Sequence, residues 1–183
     1  PQSGLAGRHW CSRLVVRVVV ISKACVLAAY RRKFEELAAL GIDLTLVVPP
    51  YWRDERGVSR LEPGSTSGYR LVVLPMALNG HFHTHWFKGL GKLIRQECPD
   101  IVHVEEEPYN LATFMAFRSA CQVGAAPIFF TWQNLNRVYP LPFRSMERYV
   151  YRRAAHALAG NRDAVSVLRA KGYRGAASVV PQF

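Results

Sequence analysis

The sequence predicts an α/β domain built on a doubly wound parallel sheet of about seven strands, with helices on both faces. Three observations predict it. Short runs rich in Val, Ile and Leu alternate with longer segments whose apolar residues recur at helical spacing. The first run, Leu14–Ser22 (LVVRVVVIS), is β-branched and apolar almost throughout, as a buried central strand is. The link to the next run is helix-length rather than hairpin-length, which joins strands in parallel through a right-handed crossover.

Taken in order, residues 1–13 carry Gly, Ser and Arg without periodicity and read as a leader or fragment end. After the first strand, Val26, Leu27, Tyr30, Phe34, Leu37 and Ala38 predict a helix over 24–40, with Arg31, Arg32, Lys33, Glu35 and Glu36 on its other side and Gly41 beyond its end. Residues 42–48 (IDLTLVV) form the second strand, stopped by Pro49-Pro50. A long loop covers 49–69, and a third strand 70–74. Residues 75–85 are a polar, His-rich loop, and Trp86, Phe87, Leu90, Leu93 and Ile94 predict a helix ending near Cys98. A fourth strand at 101–105 leads into a helix from Pro108 to about Gln122, and a fifth strand covers 128–132. A basic helix over 141–153, a strand at 156–159, a helix over 161–171 capped by Asn161, and a strand at 178–180 complete the series. Strand and helix alternation of this kind is Rossmann-like.

Composition narrows the function classes. With 183 residues, 50% of them hydrophobic and 20% charged, a disordered tail is excluded and a buried core allowed. The four cysteines, Cys11, Cys25, Cys98 and Cys121, form no CxxC and no close pair. That argues against a disulfide framework or a structural zinc and suits a reducing, cytoplasmic setting. Apolar runs such as Val18–Ile21 are too short to span a bilayer, and no signal-peptide pattern is present. The formal charge of +11 favours polyanionic partners: nucleotide phosphates, nucleic acid or an anionic membrane face. No nucleic-acid-binding module is recognisable, so nucleic acid is not the expected partner.

In an open parallel sheet the ligand crevice lies beyond the carboxyl ends of the strands. That rim collects Ser22-Lys23-Ala24, Glu105-Glu106-Glu107, Trp132-Gln133-Asn134 and Gly160-Asn161, with loop 75–85 beside them. Lys23, at a helix start, is a candidate anchor for an anionic group, or a solvated lysine. Three adjacent carboxylates cannot all lie in a dry pocket unpaired; one can bind sugar hydroxyls or act as a base, or one caps the next helix. Trp132 beside Gln133 and Asn134, with Arg137 and Tyr139 following, combines a stacking face with amides as a sugar site does; alternatively Trp132 packs in the core. His81, His83 and His85 alternate, so an extended segment would point all three one way. No acid or Cys completes a metal set, and His83 or His85 touching an acceptor is the better reading. His103, mid-strand, reads as a satisfied core histidine. Gly89-x-Gly91-Lys92 lies in a helix pattern and is not a phosphate loop, and no G-x-G-x-x-G is present. In the basic helix, Arg144, Arg148 and Arg152 stand four apart, as a membrane-surface stripe or a solvated face.

Several stretches carry a family resemblance: VVVISKACVLAAYRRKFEELAALGIDLTLVVP, CPDIVHVEEEP, APIFFTWQN, YRRAAHALAGNRDAVSVLRAKGY and SVVPQF. In this order and spacing they resemble the N-terminal domain of GT-B glycosyltransferases of family 4, from about residue 14 onward. The resemblance implies one Rossmann-like half, residues 14–183, that binds a glycan or lipid-linked acceptor. It implies a second, C-terminal half, absent here, that holds a UDP- or GDP-sugar. It implies retaining hexosyl transfer without a metal or a tightly bound cofactor, in polysaccharide or glycolipid synthesis at the inner face of the plasma membrane. This half alone is then expected to be inactive. Gln133 and Glu105 stand where the family carries histidines and are the candidate catalytic residues. Lys23, Glu106, Trp132, Asn134, Arg137, His83, His85 and Asn161 are the candidate acceptor or sugar contacts. Gly160 stands where the family carries a serine, and Ser22-Lys23-Ala24 where it often carries Gly-Gly. The other readings are a stand-alone nucleotide-binding module and a basic membrane-surface adaptor.

Overall fold

The computed structural model describes residues 15–181, so the expected leader over 1–13 lies outside the described residues. Seven strands form one parallel sheet: β1 (Arg17–Ile21), β2 (Asp43–Val48), β5 (Arg70–Val73), β8 (Ile101–Val104), β9 (Ala126–Thr131), β10 (His156–Ala159) and β11 (Ala177–Val179). Their spatial order is β11-β10-β9-β8-β1-β2-β5. The chain therefore builds outward from β1 to β5, returns to the other side of β1 at β8, and continues to β11. The order reverses between β1 and β8, where Val18 pairs with Ile101 and Ile21 with Val104. A crevice is expected beyond the carboxyl ends of those two strands.

The remaining strands are two small antiparallel pairs, β3 (Tyr51–Asp54) with β4 (Gly57–Arg60), and β6 (Met76–Ala77) with β7 (Trp86–Phe87). The first pair occupies the predicted loop 49–69. The second replaces the predicted start of a helix. Gly89, in the left-handed region at φ +83, turns the chain after β7, so the helix α2 begins only at Leu90 and ends at Glu97. Asn79 clips the two pairs together: its Nδ2 donates to the Tyr51 carbonyl at 2.7 Å, and its Oδ1 accepts from Arg53 N at 2.9 Å.

The single helix predicted over 24–40 is in fact two 3₁₀ turns, Ala24–Val26 and Ala28–Arg31, followed by α1 (Arg32–Ala39). The reason is competition for backbone groups. Glu62 N donates to the Val26 carbonyl at 2.9 Å, and Ala28 N donates to Glu62 Oε2 at 2.7 Å. Arg31 is buried, and its guanidinium donates to the Glu62 carbonyl at 2.7 Å.

The helices are unevenly shared. α2, α3 (Leu111–Val123), α4 (Phe143–Arg153) and α5 (Arg162–Ala170) belong to one face, where Ile94, Phe117, Val150 and Leu168 meet Val19, Val102 and Phe129. On the other face, among the described residues, α1 is the one α-helix, and its Phe34 meets Val20, Leu44 and Leu46 together with Cys25 and Tyr69. Beyond it, Ile101, His103, Ile128, Phe130 and Leu158 line an apolar trough of about 580 Å³. His103 is held near pKa 4 by burial, and its Nε2 has no hydrogen-bond partner among the described residues, so it is not the satisfied core histidine expected. No helix among the described residues is long and apolar enough to cross a membrane.

Candidate functional site

A cavity of about 430 Å³ opens at the reversal point. Its walls come from the segment after β1 (Lys23, Ala24, Tyr30, Lys33), loop 75–85 (Phe82, His83), the segment after β8 (Glu105, Glu106, Glu107, Tyr109, Asn110), and the end of β9 (Phe130, Trp132). Of the predicted site residues, it brings together Lys23, His83, Glu105, Glu106 and Trp132. Gln133, Asn134, Arg137, His85 and Asn161 do not line it.

The lysines are already paired. Lys23 Nζ bonds Glu106 Oε2, and the ammonium also lies 5.1 Å from the Trp52 ring and 5.4 Å from Phe82. Lys33 Nζ bonds Glu105 Oε1 at 2.5 Å. Lys23 is therefore not the open anion anchor that its place at a helix start suggested. Its charge is spent on a carboxylate that would otherwise be buried alone.

The three carboxylates differ although they are consecutive. Burial would push Glu106 up, but the Lys23 ammonium and His85 beside it more than reverse this and hold it at about 2. Asn110 Nδ2 also donates to Glu106 Oε2, at 3.2 Å. Glu107 is pushed up to about 7 by burial, against the pull of hydrogen bonds from Thr131 and Trp132. Thr131 Oγ1 donates to its Oε2 at 2.5 Å, and Trp132 N donates to its Oε1 at 2.8 Å. These bonds tie the end of β8 to the end of β9. The sequence marked the glutamate triplet but gave Glu107 no role of its own. Nothing local distinguishes it, because its partners lie 24 and 25 residues away.

The histidines of loop 75–85 are not in an extended segment. His85 N donates to the His81 carbonyl at 3.0 Å, and His85 Nδ1 lies 3.0 Å from the same oxygen, so the chain turns once between them. His85 is fully buried beside Trp52, with Nε2 3.6 Å from Glu106 Oε1. His83 is boxed by Tyr109, Tyr139 and Phe143, at ring distances of 5.3, 5.8 and 5.3 Å. Burial, with His85 and Lys23 nearby, lowers its pKa, so it faces the cavity as a neutral ring. No group of three His, Cys, Asp or Glu side chains able to hold a metal occurs among the described residues.

The loop after β9 is anchored from behind. Lys171 Nζ donates to Gln133 Oε1 at 3.2 Å and to Glu147 Oε1 at 2.5 Å, and lies 4.8 Å from the Tyr139 ring. Tyr139 in turn stacks on Tyr109 at 4.0 Å. Gln133 therefore belongs to a network behind the cavity wall. Asn134 and Arg137 are exposed, and Asn161 Oδ1 accepts from Ala164 N at 2.8 Å as the cap of α5. Arg144, Arg148 and Arg152 are all exposed, while Glu147 and Val150 form the inner side of α4.

The sequence profile of the glycosyl transferase 4-like domain matches residues 26–182. The chain belongs to the glycosyl transferase 4-like family. No curated protein is similar to it in sequence at a significant level. Among solved structures, this glycosyl transferase 4-like chain is similar to MnaA of S. aureus, solved with UDP, with TM-score 0.56, 16% identity, and coverage of 90% of this chain and 43% of that one. It is also similar to UGT89C1 of Arabidopsis thaliana, solved with UDP-L-rhamnose, with TM-score 0.56, 11% identity, and coverage of 92% and 52%. A third is the UDP-GlcNAc 2-epimerase of Methanocaldococcus jannaschii, with TM-score 0.50, 10% identity, and coverage of 91% and 45%. At these identities the likeness is one of fold, and the chain spans about half the length of these proteins.

Proposed function

We propose that this chain is the acceptor-side half of a glycosyltransferase that moves a sugar from a UDP- or GDP-sugar to a glycan or lipid-linked acceptor. The observation that carries the reading is the pairing state of the cavity at the reversal point. It offers three carboxylates, two lysines already neutralised by Glu105 and Glu106, and an indole face. Such walls accept hydrogen bonds from hydroxyls and stack on a sugar ring, whereas a diphosphate would find both lysines already paired to carboxylates. The donor is a substrate, not a resident cofactor, and in this reading it is held by a second Rossmann-like half. Two of the similar structures, each about twice as long, contain UDP or a UDP-sugar, which supports that division.

In transfer, the acceptor oxygen bonds the anomeric carbon while that carbon's bond to the nucleoside diphosphate breaks, and the hydroxyl loses its proton. Glu105 and Glu107 on the cavity wall are placed to take the hydroxyl hydrogen bond, and Glu107, near pKa 7, can accept the proton at neutral pH. Glu106, with His85 behind it, holds Lys23 in place, and His83 presents a neutral ring to the acceptor. Gln133 supports loop 133–140 through Lys171 and Tyr139.

The same half is proposed to rest on an anionic, cytoplasmic membrane face. Leu135, Val138 and Leu141 are 60%, 78% and 73% exposed on the loop that leads into α4 and its row of Arg144, Arg148 and Arg152. Apolar tips beside a basic stripe suit a phospholipid surface.

The test is calorimetric titration of this chain with UDP-glucose and GDP-mannose. No saturable binding is expected. Tight binding of either by this chain alone would overturn the division of roles.

A further inference from the structure

The indole of Trp132 rests against Gly160, the residue that follows β10. A Cβ built on Gly160 would fall well inside contact distance of the ring atoms Cδ2, Cε3 and Cζ3. Any larger residue there must therefore push the ring away. Gly160 is itself fixed, because its N–H donates to the Thr131 carbonyl at 3.0 Å. The chain is also held at the Trp132 backbone, where Glu107 Oε1 accepts from Trp132 N while Glu107 Oε2 accepts from Thr131 Oγ1. Phe130 lies edge-on to the indole, with ring centroids 5.7 Å apart. Trp132 is 37% exposed and forms part of the cavity wall shared with Glu105, Glu107 and Lys33.

We propose that Gly160 and Glu107 are positioning residues that hold the Trp132 indole as a stacking platform for a pyranose ring of the acceptor. The proposal rests on the acceptor-side reading above and adds to it the specificity-setting contact. A flat indole face favours a ring that presents several C–H groups on one side, and the carboxylates at its edge accept from the equatorial hydroxyls. A nucleobase would also stack, but it would bring its phosphates against Glu105 and Glu107. The absence of a side chain at Gly160 is, in this account, what gives the indole its room.

The test is a saturation-transfer NMR titration of the 183-residue chain with methyl glycosides of glucose, galactose, mannose and N-acetylglucosamine, and with UMP as the competing probe. It is run on wild type, Gly160→Ala, Trp132→Ala, Trp132→Phe, Glu107→Ala and Glu107→Gln, well below each melting temperature. At least one glycoside should bind wild type, and Trp132→Ala and Gly160→Ala should weaken it by about tenfold, the scale of one lost aromatic stack. Trp132→Phe should keep most of the affinity, and Glu107→Gln should bind better than Glu107→Ala, which a general loss of stability would not produce. Wild-type affinity in folded Trp132→Ala overturns the platform and leaves the acceptor reading standing. If Gly160→Ala does not fold, Trp132→Ala and Trp132→Phe decide alone. UMP binding that depends on Trp132 overturns the ligand class. Failure of wild type to bind any of the glycosides overturns the platform and the acceptor reading together.

Discussion

The two sides of the cavity rim hold carboxylates in opposite ways. Toward β1, Glu105 is matched by the half-exposed Lys33 and Glu106 by the largely buried Lys23. Toward β9, Glu107 is met by a threonine hydroxyl and a backbone N–H, and burial leaves it near pKa 7. Neighbouring residues of one type thus become a fixed ion-pair partner and a titratable group. The difference lies in what the adjacent strand brings: a lysine from the β1 side, an uncharged strand end from the β9 side. One side gives the rim rigidity, and the other gives it a proton acceptor and an aromatic face.

The largest expected effect breaks the β1 side. Lys23→Met should destabilise by about 3–5 kcal/mol in urea unfolding at neutral pH, because Glu106 is then buried without its counter-charge. Adding Glu106→Gln should recover much of that loss. A single-variant cost no larger than a surface change would mean that Glu106 is not buried as described.

The β9 side is sharpened by pH. Glu107 has a folded pKa of about 7, above its ordinary 4.5. Its contribution is therefore fully present below pH 4.5 and is lost as pH rises through about 7, by up to ~3 kcal/mol. His103 works in the opposite sense nearby: held near 4 rather than 6.5, it destabilises the fold as pH falls through that window. The useful quantity is thus the difference between wild type and Glu107→Gln, which should grow steadily from pH 4.5 to 7 in denaturant titrations. Glu106, held at about 2, instead contributes stability that is present above pH 4.5 and lost as pH falls through about 2, so Glu106→Gln should lower stability at neutral pH and flatten the acid limb. A flat Glu107→Gln difference would erase the contrast between the two sides.

Gly160→Ala should cost about 1–3 kcal/mol by overpacking against the indole, and Trp132→Ala in the same chain should remove most of that cost. Equal costs with and without Trp132 would place the clash elsewhere. The smallest effect lies outside the rim. Replacing Arg144, Arg148 and Arg152 together with Gln should shift stability by less than about 0.5 kcal/mol, since all three are exposed. The same change should lower flotation with phosphatidylserine vesicles at low salt. Unchanged flotation would sink the membrane-surface reading.

Much of the sheet was legible because its strands carry their own signal. LVVRVVVIS, IDLTLVV and the strand around IVHV read as buried β-structure from composition alone, and each is a strand of the central sheet. Segments that depend on a distant partner were not legible. Residues 24–31 have helical spacing, yet Glu62 captures their backbone groups. Trp86 and Phe87 share in the spacing of the following helix, yet pair with Met76 and Ala77. Residues 51–60 carry no strong alternation, and their hairpin is clipped by Asn79. The candidate site divides in the same way. Glu105, Glu106 and Trp132 were found because they end strands. Glu107 stands in the same triplet but was given no role of its own, because its partners Thr131 and Trp132 lie on another strand, and Lys33, Tyr109 and the Lys171–Glu147 pair depend likewise on groups far away in sequence.

The sequence by itself determined that this is an α/β chain with seven strands in one parallel sheet, because burial on both faces forces long β-branched runs and helix-length links. It also determined which residues stand at the carboxyl ends of the strands, since strand ends follow from those runs. Only the tertiary structure decided that the order reverses between β1 and β8, that the two rim lysines are neutralised by two of three glutamates, and that Trp132 lies on Gly160. Those outcomes depend on strand order and on contacts between residues 28 to 83 positions apart, and local physics does not encode which distant group arrives.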